Sequence, residues 1–370
     1  MKIPFVDLKA QYLGIKEGID SAMQQVIDET AFIRGKYVKE FEEAYAEAYG
    51  VKHCIGVANG TDAIYIALKM LDIGPGDEVI TVANSWISTS EAITQTGARP
   101  VFIDIDDHFC INTDRIAEKV TERTRAILPV HLFGQSAELD SLLELCRRHG
   151  LYMVEDCAQA HFAEYKGQRV GTFGIAGTFS FFPGKNLGAY GDAGAIIIND
   201  DDYATRVRMY ANHGAKVKHQ HEFEGVNSRL DGLQAAILSV KLPHIQRWSE
   251  LRLQHAKQYN KLLSGIDGVE IPRLKENCRH VFHLYVICVE HRDELQVYLK
   301  EHGVQTGIHY PTALPFLNAY RYLKHTPEDF PLAFKRQSEI LSLPMYPEMT
   351  EEMIVYVADT VRAFYEKSDN

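Results

Sequence analysis

A chain of 370 residues with 46% apolar and 24% charged side chains is long enough to bury a sizeable core and to form two domains. Its net charge of −11 argues against a protein that tracks a nucleic-acid backbone. Six scattered cysteines without a Cys-x-x-Cys pair argue against a disulfide framework or a zinc site. No apolar run approaches the roughly 20 residues of a membrane span, and the first residues lack a signal-peptide layout, so a soluble cytoplasmic protein with no membrane or nucleic-acid partner is expected.

After an irregular start containing Pro4, apolar residues at helical spacing predict helices over 15–29 and 37–49. His53–Ala58 reads as a short strand that runs into Asn59-Gly60-Thr61-Asp62 and then a helical pattern from Ala63 to Leu71. A strand, a glycine turn and a helix start in succession leave free backbone N–H groups, which suit a phosphate. Gly60 and Thr61 read equally as a plain helix cap. Strands and helices then alternate: strands at Val79–Val82, Pro100–Ile105, Ala126–Val130 and Leu151–Glu155, and helices at Ser88–Thr96, Asp114–Val120 and Leu139–His149. Such alternation predicts an α/β fold with a mainly parallel sheet flanked by helices, in which ligands bind beyond the carboxyl ends of the strands. Strands at Thr178–Phe182 and Ala195–Asn199, a helix over Tyr203–Tyr210 and a polar loop over 213–226 follow. A long helical pattern runs from Asp231 to Leu263 with a bend at Pro243. Beyond it the chain reads as strand Val281–Val289, helix Arg292–His302, strand Val304–His309 and helices over Pro331–Ile340 and Thr350–Tyr365. The expected division is a large domain over 1–250, including the N-terminal segment, and a smaller α/β domain over 251–370.

The chemistry centres on Ser180-Phe-Phe-Pro-Gly-Lys-Asn-Leu-Gly-Ala-Tyr-Gly-Asp-Ala-Gly-Ala195, which holds one lysine between an apolar run and a glycine-rich turn. Taken alone, Lys185 reads as a solvated loop lysine; its company changes that. Asp156 ends an apolar strand and can face a protonated pyridine nitrogen, although a helix cap or a metal ligand is equally open to it. Gln159 is placed to hydrogen-bond a ring hydroxyl oxygen, and Ala158 is small enough to lie beneath a ring. Trp86 can stack on the other face or simply pack in the core. Ser180 offers a hydroxyl to a phosphate beside the turn at 59–61. Together these residues predict pyridoxal 5′-phosphate held as a Schiff base on Lys185, which serves as nucleophile and proton shuttle. His213, His219 and His221 are poorly spaced for a preformed ion site, and no metal is expected.

Further landmarks are Phe5-Val-Asp-Leu8, Ala58-Asn-Gly-Thr-Asp-Ala63, Gly76-Asp-Glu-Val-Ile80, Pro129-Val-His-Leu-Phe-Gly-Gln135, Glu155-Asp-Cys-Ala-Gln-Ala-His161, Val226-Asn-Ser-Arg-Leu-Asp-Gly-Leu-Gln-Ala-Ala236 and His309-Tyr-Pro311. With the 180–195 stretch, their order and spacing resemble the DegT/DnrJ/EryC1/StrS sugar-nucleotide aminotransferases of the aspartate-aminotransferase-like (fold type I) superfamily, over nearly the whole chain. The resemblance implies that Lys185 is the cofactor lysine, with Gly60, Thr61, Trp86, Asp156, Ala158, Gln159 and Ser180 around the cofactor. It implies that Asn227 reaches the phosphate in the neighbouring subunit, and hence a homodimer with shared active sites. Arg229, His309 and Tyr310 fall where the family contacts the nucleotide-linked keto sugar, with L-glutamate and 2-oxoglutarate as the other partners. Phe182 to Ala189 followed by Asn227-Ser-Arg-Leu-Asp is similar to members that aminate a 3-keto sugar. His161 is common in that group and reads either as a pocket residue or as a satisfied structural histidine. Phe182 stands where many relatives carry Tyr, Phe162 and Ala193 where many carry Gly. The first two departures would reshape sugar recognition.

Overall fold

The computed structural model describes residues 1–368. Seven strands form the main sheet: β1 (His53–Val57), β2 (Glu78–Val82), β3 (Arg99–Ile103), β4 (Thr124–Leu128), β5 (Tyr152–Asp156), β6 (Ala176–Ser180) and β7 (Gly194–Ile198), in the order β1-β7-β6-β5-β4-β2-β3. Strands β3, β2, β4, β5 and β6 pair in parallel, and β7 runs antiparallel to both β6 and β1. Helices cover both faces, so the strands are apolar almost throughout; every residue of β2 and β7 is buried. Each fully buried Val, Ile or Leu contributes about 1.5–3 kcal/mol, which stabilises these strands without side-chain alternation.

The helix Gly60–Lys69 begins where the strand-to-helix turn predicts. The Asn59 side chain caps it by accepting from the Asp62 backbone N–H at 2.8 Å. Its buried residues Ala63, Ile64, Ile66, Ala67 and Leu68 share a core with Val154, Ile196 and Ile198 of the sheet. The expected bend at Pro243 is present: a 3₁₀ turn at Leu242–His244 separates helices Gly232–Lys241 and Ile245–Leu263.

A second sheet joins β8 (Val269–Glu270), β9 (Tyr285–Val289) and β10 (Ile340–Leu343), over a core that includes Tyr259, Leu263, Leu295, Leu341 and Ile354. Ile3 packs into that core too, with its N–H bonded to Gly303 O and its carbonyl accepting from Gln305 N–H. The N-terminal residues thus lie against the C-terminal unit.

Several expected elements differ: the strand expected from Val281 begins at Tyr285, and the loop over 213–226 holds a short hairpin of Ala215–Val217 and Gln220–His221. Residues 114–120 form two 3₁₀ turns, because Ile116 is the buried side chain between them and no apolar face pins a longer helix. Residues 304–309 make isolated bridges, Ile3 to Val304 and Gly307 to Ser342, with no continuous strand. The helix expected to Ile340 stops at Arg336, and Ile340–Leu343 is a strand; four consecutive buried residues suit a sheet interior as well as a helix. Among the described residues, no helix is long and apolar enough to cross a membrane.

Candidate active site

The parallel strands of the main sheet end on one side, and their following turns enclose a cavity of about 490 Å³. Asn59, Gly60 and Thr61 follow β1, Ser85 and Trp86 follow β2, and Val130 and Leu132 follow β4. Asp156 ends β5, Ala158 and Gln159 follow it, Ser180 ends β6, and Phe182 and Lys185 come next. His309 and Tyr310 arrive from the C-terminal unit and Phe5 from the N-terminal segment. Eleven of the expected site residues therefore meet in one place: Gly60, Thr61, Trp86, Asp156, Ala158, Gln159, Ser180, Phe182, Lys185, His309 and Tyr310.

Lys185 sits in a tight turn. Its backbone N–H donates to Phe182 O at 2.8 Å, and a Cβ on Gly188 would lie 2.3 Å from Pro183 O, so the turn closes only with glycine there. Lys241, itself fully buried, clamps the turn by donating from Nζ to Gly188 O at 2.7 Å. Burial lowers the Lys185 ammonium to about 8, while Asp156 pulls it the other way. The amine is thereby within reach of neutrality near physiological pH.

Asp156 is buried, with Oδ1 accepting from Ala158 N–H at 3.1 Å and Oδ2 from Thr89 Oγ1 at 2.9 Å. Burial raises its carboxyl above the usual range against the pull of these two donors and of Lys185. A cation brought against it would reverse that shift. Behind it, Glu155 accepts from the backbone N–H groups of Gly171, Phe173 and Gly174 and pairs with His131 Nε2 at 3.0 Å. His131 Nδ1 accepts from Ala137 N–H, so Nε2 carries the ring proton. Cys157 completes a buried group with the spacing of a metal site, but that protonated nitrogen has no lone pair for an ion.

At the opposite end, Gly60 lies so close to Ser180 that a Cβ there would meet Ser180 Cβ at 2.6 Å. Because Asn59 is the helix cap, the N–H groups of Gly60 and Thr61 remain free for an anion. Thr61 Oγ1 is 2.7 Å from Ser88 Oγ. Gln159 Oε1 accepts from Phe133 N–H at 2.7 Å, while Nε2 donates to Tyr310 Oη at 3.0 Å and keeps a second hydrogen for a ligand oxygen. Trp86 and Tyr310 pack at 5.6 Å between ring centroids, with Trp86 open to the cavity.

Three expected residues lie elsewhere. His161 does not line the cavity: its Nδ1 is 3.0 Å from Tyr45 Oη, its Nε2 is 2.9 Å from Ser180 O, and its ring stacks on Phe181. Its contacts are those of a satisfied structural histidine, and burial lowers its pKa to about 4. Asn227 is exposed and bridged to Asn212, and Arg229 lines a separate 170 Å³ cleft with Arg34, Glu42 and Arg208. Neither lines the cavity that holds Lys185.

Sequence reasoning missed Thr89, Ser85, His283 and Phe5, all of which line the cavity. The one available signal for Thr89 was its place in the first turn of the helix that follows Trp86 beyond the end of β2. Phe5 stacks on His309 at 5.6 Å and is brought there by the Ile3 bridge.

In comparison with known proteins, residues 14–362 match the DegT/DnrJ/EryC1/StrS aminotransferase family. The chain belongs to that family. It is 46% identical over 368 residues to a protein of Geobacillus stearothermophilus named "Pleiotropic regulatory protein", covering 99% of each. It is 41% identical to the dTDP-3-amino-3,6-dideoxy-alpha-D-galactopyranose transaminase of Aneurinibacillus thermoaerophilus, covering 98% and 99%. Other family relatives carry names of UDP-linked 3-amino sugar enzymes. The crystal structure of S. venezuelae DesV in complex with a ketimine intermediate superposes with a TM-score of 0.96 at 39% identity, covering 99% of both chains. Pyridoxal phosphate is the cofactor of this family, and the residues fit it: a lysine, a buried carboxylate in no ion pair among the described residues, an aromatic wall and a glycine-lined anion cradle share one cavity.

Proposed function

We propose that the protein is a transaminase that moves the amino group of L-glutamate to C3 of a nucleotide-linked keto sugar. The first choice of substrate is a dTDP-3-keto-6-deoxyhexose, which would yield a dTDP-3-amino-3,6-dideoxyhexose for surface polysaccharide or glycoside synthesis. The observation that carries the reading is Lys185 and Asp156 facing one cavity whose far end is the Gly60–Ser180 cradle. When bound, pyridoxal phosphate supplies an aldehyde that carries the amino group and a cationic ring that accepts electrons.

In this reading Lys185 Nζ holds the cofactor at rest. Once displaced by the amino acid, it would take the proton from the donor's α-carbon as general base and, in the second half of the cycle, deliver a proton as general acid to the sugar carbon that receives the nitrogen. Its lowered pKa suits both roles. Asp156 holds the proton on the ring nitrogen. Gly60, Thr61 and Ser180 bind the phosphate, Ala158 and Trp86 flank the ring, and Gln159 donates to its oxygen. Phe182, His309 and Tyr310 wall the sugar side and exclude water. Asn227 and Arg229 do not line the Lys185 cavity of their own chain, and in this reading they complete the partner's site in a homodimer. Residues 1–250 are taken as the cofactor-binding domain and 251–370 as the smaller one.

The test is glutamate consumption with three keto nucleotides: the dTDP-3-keto-6-deoxyhexose, a UDP-linked 3-keto-N-acetylhexosaminuronic acid and a 4-keto sugar. Turnover of the first and little of the others is expected. Lys185→Ala should abolish both turnover and the visible absorbance of the purified holoenzyme; retention of both would sink the assignment. A non-catalytic regulator is the second reading, favoured by the name of the Geobacillus stearothermophilus relative. Failure to consume glutamate with every keto sugar would favour it, whereas intact Lys185 and Asp156 oppose it.

A further inference from the structure

Thr89 lies in the first turn of the helix Ser88–Thr96, and its Oγ1 is 2.9 Å from Asp156 Oδ2. Ser85 Oγ is 2.8 Å from Thr89 Oγ1. An ionised carboxylate only accepts, so the single hydroxyl proton of Thr89 is committed to Asp156, and Ser85 must donate to Thr89. The bonds thus form a directed relay, Ser85 to Thr89 to Asp156, in which each bond polarises the next. All three residues are buried, at 4%, 1% and 4% exposure, so water does not compete for these bonds. Ala158 N–H approaches the other oxygen, Oδ1, and the two donors together set the carboxylate plane.

We propose that Thr89, backed by Ser85, is a positioning residue that keeps Asp156 ionised and aimed at the cofactor's ring nitrogen. The proposal rests on the reading that the Lys185 cavity binds pyridoxal phosphate. The titratable groups around Asp156 are Lys185, His131, Tyr310, Cys157 and Glu155. The aliphatic hydroxyls of Thr89 and Ser85 do not titrate in the working range. The relay therefore delivers the same hydrogen bond at every pH the enzyme meets, and the ring nitrogen keeps its proton across that range. No co-reactant is required, because the relay moves no atom; it orients a charge.

The experiment uses holoenzyme reconstituted with ring-¹⁵N pyridoxal phosphate. In the unsubstituted protein the ¹⁵N resonance should sit at the protonated position and stay there as pH is varied. Thr89→Val, which keeps the shape and removes the hydroxyl, should shift that resonance toward the unprotonated position and make it titrate with pH. Its kcat should fall by about ten- to a hundredfold, the scale of one hydrogen bond to a charged group, with KM for the amino donor little changed. Thr89→Ser should restore the resonance. Ser85→Ala leaves Thr89 in place and should give a smaller shift in the same direction, which serves if the valine variant does not fold. An unchanged resonance and pH profile in Thr89→Val, or in Ser85→Ala if the valine variant does not fold, overturns the relay. Absence of any bound-cofactor resonance in the unsubstituted protein overturns the reading of the cavity instead, so the two failures are distinguishable.

Discussion

Replacing Gly60 with alanine isolates the phosphate cradle from the rest of the site. The added Cβ would lie 2.6 Å from Ser180 Cβ and 3.1 Å from Ser180 Cα, about 1 Å inside ordinary contact. Ser180 cannot retreat, because it pairs with Gly194, and a Cβ on Gly194 would itself meet Asn59 O at 2.4 Å. The start of the helix Gly60–Lys69 must therefore move outward, at an overpacking cost of about 1–3 kcal/mol. That displacement lengthens the approach of the Gly60 and Thr61 N–H groups to an anion. Losing the equivalent of one charge-assisted hydrogen bond costs about 1.5–3 kcal/mol, which is roughly ten- to a hundredfold in Kd. The assay is titration of the apoprotein with pyridoxal phosphate and, separately, with pyridoxal, followed by visible absorbance. Gly60→Ala should weaken the phosphorylated form by that factor and leave pyridoxal nearly unaffected. Equal affinity of both proteins for pyridoxal phosphate would refute the cradle.

Two further predictions concern pH. The apoprotein should take up pyridoxal phosphate at a rate that rises with pH and levels off above about 8, because only the neutral Lys185 amine attacks the aldehyde and burial sets its pKa there. A midpoint near the ordinary lysine value of about 10.4 would place Lys185 in open solvent and contradict the structure. His161, with a folded pKa of about 4 against an ordinary 6.5, binds fewer protons folded than unfolded between those values. Its contribution is full above pH 6.5 and lost as pH falls to about 4, on the order of 3 kcal/mol. Urea unfolding of the unsubstituted protein and of His161→Gln at pH 7, 5 and 4 should show the gap between them shrinking by that amount; a gap constant with pH would contradict it.

Lys185, Asp156, the Gly60 turn and the alternation of strand and helix were legible in the linear chain. Each is a local signal: a turn glycine, a polar residue ending an apolar run, a change of hydrophobic period. The parallel sheet follows from that alternation, and it necessarily carries the ends of β1, β2, β4, β5 and β6 to one side. The isolated bridges at 304–309 and the strand Ile340–Leu343 were less legible, because four buried apolar residues fit a strand and a helix end equally well until a neighbour supplies hydrogen bonds.

What tertiary structure alone decided is which polar groups find each other. His161 could be assigned by neither spacing nor composition. Its nitrogens are taken by Tyr45 and by Ser180 O, 116 and 19 residues away, and those bonds remove it from the cavity. The Thr89–Asp156 bond spans 67 residues, and the Lys241 clamp on Gly188 spans 53. A buried polar atom must be paired, but the chain order does not say with what, so these partners emerge only when the strands and helices have packed.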